Sequence, residues 1–202
     1  MTGFRRRVVG VVFAAVLGLA TSGEGADAQI RPYVGLTFAG DTTFAPNLVD
    51  AAGKVHATIG INAAWLRDVI GIDVDVARTP GFFQTGNAGE LIITSAVTTT
   101  TGNLVIAAPR RFTEYVLRPY IVAGAGIIHI RAEDALQVFD VNEVRPTIDF
   151  GVGAVGFVTN FVGLVWEVRR FQSIGAEQQR GLSIGGERLS FWRATMGVAI
   201  RY

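Results

Sequence analysis

The sequence predicts an all-β chain, an eight-stranded antiparallel up-and-down transmembrane β-barrel. Three observations predict it. Half of the 202 residues are hydrophobic and the mean hydropathy is +0.38. Beyond the N-terminus, however, no apolar run approaches the roughly 20 residues that a spanning helix needs. The apolar residues instead recur at every second position in successive segments, the period of a strand with two unlike faces. The connections between segments also divide into short and long, as expected of a barrel with tight turns at one end and loops at the other. The 25 glycines, against 2 Met and 6 Pro, suit strands and turns better than helices. The absence of Cys excludes a disulfide framework, thiolate chemistry and an acylated-cysteine anchor.

Residues 1–28 read as a secretory signal peptide. Arg5, Arg6 and Arg7 supply the positive start, and Val8 to Ala20 an apolar core of about 13 residues, too short to span. Ala26-Asp27-Ala28 is a small-x-small cleavage site before Gln29. Cleavage after Ala20 is the alternative. Removing residues 1–28 takes away three arginines with Glu24 and Asp27, so residues 29–202 are formally neutral. Nothing in that balance argues for nucleic acid.

The first strand is expected over Ile30–Gly40, with Ile30, Pro32, Val34, Leu36 and Phe38 opposed to Arg31, Tyr33, Gly35, Thr37 and Ala39. The second, Lys54–Trp65, sets Val55, Ala57, Ile59, Ile61, Ala63 and Trp65 against Lys54, His56, Thr58, Gly60 and Asn62. After a tight link, Val69–Arg78 sets Ile70, Ile72, Val74 and Val76 against Gly71, Asp73, Asp75 and Ala77. The fourth, from about Ile93 to Ala107, changes phase. Ile93, Val97 and Thr99 share one parity and Leu104 and Ile106 the other, so a bulge near Gly102 is expected. In the fifth, Arg118-Pro119-Tyr120 repeats Arg31-Pro32-Tyr33, with each Pro at a strand start, where its missing N–H breaks no ladder bond. The sixth, Arg145–Phe157, sets Ile148, Phe150, Val152 and Ala154 against Thr147, Asp149, Gly151 and Gly153. The seventh opposes Val162, Leu164, Trp166 and Val168 to Gly163, Glu167 and Arg169. In the eighth, Trp192, Ala194, Met196, Val198 and Ile200 alternate with Arg193, Thr195, Gly197, Ala199 and Arg201. Links after Gly40, Arg78, Ile130 and Phe171 are expected to be long and polar.

Seven of these strands keep one face free of charge through the middle. A lipid-facing wall requires this, because a charge at the bilayer midplane costs about 2–4 kcal/mol. That face carries aromatics near its ends, Phe38, Phe150 and Trp192 at the loop end and Trp65 and Tyr202 at the turn end. They are the expected interfacial girdles. The chain resembles the eight-stranded outer-membrane β-barrel family of the OmpA transmembrane-domain, OmpX and OmpW kind. Arg118-Pro119-Tyr120 with the following Ala-Gly-Ala-Gly, Glu167-Val168-Arg169 and the C-terminal segment carry the resemblance. Thr195, Gly197, Ile200 and Tyr202 occupy the places of the C-terminal signal by which such barrels are recognised for assembly. The resemblance implies an outer-membrane location, contact with outer-membrane lipid and the barrel-assembly machinery as a partner. Because the chain ends at Tyr202, no peptidoglycan-binding domain is expected.

The inward face is expected to gather Asp73, Asp75, Asp149 and Glu167 with Lys54, His56, Arg169 and Arg193, from mid-height to the loop end. Eight strands enclose an interior just wide enough for side chains to fill, and buried charges must be paired. The favoured reading is a charge-paired plug in a structural or surface-interaction protein. The alternative is a narrow path for ions or small solutes, with room left by inward glycines such as Gly124 and Gly126. No catalytic, cofactor or metal site is predicted, since no motif with nucleophile, nucleotide or metal spacing stands out. A lipid deacylase of this barrel class would place His and Ser two apart on the lipid face, whereas His129 is followed by Ile130 and Arg131. The exposed loops are the remaining surface for an extracellular ligand.

Overall fold

The computed structural model of the protein describes residues 27–42, 54–82, 92–109, 117–134, 140–174 and 189–202. They form eight strands: β1 (Asp27–Thr42), β2 (His56–Arg67), β3 (Ile70–Pro80), β4 (Ile92–Ala107), β5 (Arg118–Asp134), β6 (Asp140–Phe157), β7 (Val162–Ser173) and β8 (Leu189–Arg201). Each strand pairs antiparallel with its neighbour in sequence, and β8 pairs with β1 to close the barrel. Closure leaves no strand edge unpaired, a condition for exposing a sheet to a medium that offers no hydrogen bonds.

The alternation read from the sequence becomes two walls. Val34, Ile59, Ile61, Ile121, Phe150 and Val152 stand exposed on the outside, each with about half or more of its surface free. Arg31, Tyr33, Asp73, Asp75, Asp149, Arg169 and Arg193 are buried within. A soluble barrel would not leave so continuous an apolar band uncovered.

β4 departs from expectation. There is no bulge at Gly102, which lies opposite Val74 in a regular ladder running from Ile106 to Ala96. The strand keeps one phase, with Ser95, Val97, Thr99, Thr101, Asn103 and Val105 all buried inside and Gly102, Leu104 and Ile106 outside. The apparent flip arose because Val97 is apolar yet inward. Its irregularity lies instead between Ile92 and Thr94. A second register shift falls in β1 between Phe38 and Asp41, where Ala39 adopts φ 48° and is exposed rather than inward.

The predicted long link after Ile130 is also shorter than expected. The ladder runs on through Arg131 opposite Asn142 to Glu133 opposite Asp140, leaving residues 135–139 between the strands. The polar sequence there stops the apolar pattern without stopping backbone pairing. Most of the links after β1, β3 and β7 lies outside the described residues, as do residues 1–26 of the predicted signal segment.

At the opposite end the turns are tight. Asp68, at φ 50°, makes the β2–β3 turn. In the β6–β7 turn, the hydroxyl of Thr159 accepts from the amides of Phe161 and Val162 at 3.3 and 2.9 Å. Arg118 ties the β2–β3 turn to the end of β4 by donating to the carbonyls of Ala108, at 2.8 Å, and Asp68. The first and last described strands meet at this rim, where the Tyr202 amide donates to the Ala28 carbonyl at 3.1 Å. Asp27 and Ala28 pair with Leu66 and Trp65, so cleavage after Ala28 would remove two residues of the ladder.

Candidate functional site

The barrel interior is stacked in three layers. Nearest the turns, Leu66, Val105, Tyr120, Val122, Val155 and Val165 belong to one apolar cluster. Nearest the loops, Phe82, Val97, Ile128, Ile130, Phe171, Leu189 and Phe191 form another. The Phe171 and Phe191 rings stack at 5.1 Å, and Phe82 meets Phe191 edge-on at 5.4 Å. Between the two clusters lies a layer of buried charge.

Arg169 is the centre of that layer. Its guanidinium donates to Glu167 at 2.5 and 3.0 Å, to Asp73 at 3.0 Å and to Asp149 at 3.3 Å. Period-two geometry places Glu167 and Arg169 side by side on β7, and closure brings Asp73 and Asp149 to them from β3 and β6. Arg193, on β8, pairs with Asp75 and donates to the Thr99 hydroxyl at 2.9 Å. Its charge also lies 4.4 Å over the Phe171 ring, where the aromatic face stabilises a desolvated cation. Asn103 donates to Asp73 at 2.5 Å.

Two tyrosines complete the set. Tyr33 donates to Asp75 at 2.7 Å, and Tyr120 donates to Glu167 at 2.8 Å. Each lies across a glycine of the next strand. A Cβ at Gly60 would strike the Tyr33 ring and one at Gly153 the Tyr120 ring. Gly60 and Gly153 therefore do not open a passage. They leave room that tyrosine rings fill, and Gly124 and Gly151 do the same for Asn103 and Arg169.

Isolated buried ions cost several kcal/mol each, which only close pairing and hydrogen bonding offset. The ion pairs just described offset much of that cost, although Asp149 Oδ1, Arg193 Nε and Asn103 Oδ1 keep no hydrogen-bond partner. A gap beside Arg31, Asn62, Glu167 and Thr195 has a volume of about 10 Å³, room for roughly one water. Above the charges, the hydroxyls of Thr37, Thr58 and Thr79 join across β1, β2 and β3 at 2.7 and 2.8 Å.

Of the predicted network, Asp73, Asp75, Asp149, Glu167, Arg169 and Arg193 come together. Lys54 and His56 do not. Lys54 precedes β2 and is exposed, since the strand begins two residues later than expected. His56 faces inward but stacks on Phe82 at 5.5 Å, within the apolar layer and away from the carboxylates. The network also sits at mid-height, with apolar residues above it. Tyr33, Tyr120, Asn103 and Arg31 were missed. Parity already placed Arg31 and the tyrosines inside, and the repeated Arg-Pro-Tyr marked both rings. Arg31 donates to Gln29 at 3.0 and 2.8 Å and lies 5.5 Å over the Tyr120 ring.

On the outer wall, Phe38, Phe150 and Trp192 stand towards the loops. Phe150 meets Trp192 edge-on at 6.4 Å, and Arg170 lies 5.4 Å over the Trp192 ring. Trp65 and Tyr202 lie at the turn end. In the closing strand, Thr195 points inward and Ile200 outward, and Gly197 lies where a Cβ would meet Tyr33. Tyr202 follows β8 and is exposed. His129 takes the outer face, opposite Thr98 and Val144.

No family model and no curated protein matches the chain. Solved structures do. Neisserial surface protein A aligns with a TM-score of 0.61 at 14% identity, over 89% of this chain and 100% of that one. OprG of Pseudomonas aeruginosa aligns at 0.57 and 12% identity, over 90% and 98%. Ail of Yersinia pestis, solved in complex with the heparin analogue sucrose octasulfate, aligns at 0.53 and 11%, over 89% and 100%. The chain has the fold of the eight-stranded outer-membrane β-barrels.

Proposed function

We propose that this protein is an outer-membrane barrel with a side-chain-filled interior, acting as a structural or surface-interaction protein. The observation that carries the reading is the sealing of the charged layer by apolar clusters on both sides. An ion entering from the loop end would first have to pass Phe171, Phe191, Ile128 and Leu189, which offer it no ligands. Of the glycines that would favour a narrow channel, Gly60, Gly124, Gly151 and Gly153 are covered by tyrosine, asparagine and arginine side chains. On this reading, function falls to the outer wall and the loops. Ail, a protein of the same fold, is described in complex with a sulfated sugar, which supports looking for an extracellular ligand of the loops here. Outer-membrane lipid and the barrel-assembly machinery are the partners this reading implies, the latter through Thr195, Gly197, Ile200 and Tyr202.

The test is conductance of the refolded chain in planar bilayers. The expected result is a silent membrane at protein levels where heat-dependent gel mobility shows folded barrel. Stable ohmic steps would overturn the sealed interior and support the narrow channel instead.

A further inference from the structure

The outer wall is not uniformly apolar. On β3 and β5 basic side chains point outward near the loop end. Arg78 and His129 lie on either side of Thr98 in one cross-strand row, and Arg131 follows His129 on the same face. Two strand spacings separate Arg78 from His129 by about 10 Å, and Arg131 lies about 7 Å further along its strand. Arg78 and Arg131 are both exposed. Asp41, an outward carboxylate at this end, belongs to β1 beyond its bulge.

A second observation meets this patch. An apolar groove of about 910 Å³ runs up the outer wall past Val34, Ile61, Val76 and Met196, and it ends at Arg78 and Thr98.

We propose that groove and patch together bind a phosphorylated lipid, with an acyl chain along the groove and the phosphate held by Arg78, flanked by His129 and Arg131. A bare anion would gain nothing from the apolar floor, and an uncharged lipid would leave the guanidinium groups unused. The site rests on the reading of this wall as lipid-facing.

The test is native mass spectrometry of the chain refolded in maltoside micelles, with phosphatidic acid, diacylglycerol or inorganic phosphate added. Phosphatidic acid should be retained in preference to diacylglycerol. Arg78→Gln with Arg131→Gln should weaken that retention about tenfold or more, while Arg67→Gln, outward at the turn end, should leave it unchanged. All these positions are on the outer surface, and unaltered heat-dependent gel mobility would verify folding. Equal retention of diacylglycerol, or no loss in the double variant, would overturn the site. Displacement of the lipid by millimolar inorganic phosphate would overturn the lipid as occupant. Loss of the heat-dependent shift in the unsubstituted chain would instead bring down the lipid-facing reading, and this site with it.

Discussion

The two halves of the barrel contain the same device built to different strengths. In the first, Tyr33 on β1 crosses Gly60 on β2 and donates to Asp75 on β3. In the second, Tyr120 on β5 crosses Gly153 on β6 and donates to Glu167 on β7. Both tyrosines come from an Arg-Pro-Tyr at a strand start. The halves differ in the counterion. Asp75 receives Arg193 from a distant strand, and that arginine serves one carboxylate. Glu167 receives Arg169 from its own strand, and that arginine also holds Asp73 and Asp149. The repeated geometry sets where the carboxylates sit. The placement of one arginine decides which half holds the barrel together.

The sharpest break of this comparison is Arg169→Leu. It strands three buried carboxylates and is expected to cost about 3–5 kcal/mol in urea unfolding from micelles. Arg193→Leu strands only Asp75, which keeps the Tyr33 hydroxyl, so its cost should be the smaller, about 3 kcal/mol. Equal losses would mean that the halves are energetically alike. Next come Gly153→Ala and Gly60→Ala. Each pushes a Cβ into a tyrosine ring and a neighbouring carbonyl, for about 2–3 kcal/mol of overpacking by the same assay. A harmless substitution at either site would show that its ring does not lie on the glycine. The smallest effects belong to Tyr120→Phe and Tyr33→Phe, each removing one hydroxyl bond to a carboxylate at about 1.5 kcal/mol. Coupling should sharpen the contrast. In double-mutant cycles, Tyr120→Phe should interact with Arg169→Leu through their shared Glu167, and Tyr33→Phe should not.

Much of this was legible in the sequence, because a strand's two faces are written at alternate positions. Strand number, the outward apolar faces of the strands other than β4 and six of the eight proposed network residues followed from parity alone. What parity does not encode is depth. Val97 points inward yet is apolar, since the interior is apolar near its ends, and in a linear reading such a residue looks like a change of phase. Lys54 has the right parity but lies past the end of its strand, where an inward direction has no interior to enter. The pairings were hidden for another reason. Arg169 and Asp73 are 96 residues apart and Arg193 and Asp75 are 118 apart, and only the closed cylinder makes them neighbours. Asn103 was lost with the mistaken phase of β4.

The seam between β1 and β8, where Gln29 meets Arg201, has a kinetic consequence. It joins the two extremes of the described chain, so the fold has high contact order, and the final ladder forms only after the loop-closure entropy of nearly the whole sequence has been lost. Until then Arg193 on β8 is held apart from Asp75 on β3. If the barrel closes in a bilayer, as the proposed function implies, a half-shut sheet would expose charges without their counterions, so partly closed intermediates would be penalised and shutting would be close to all-or-none.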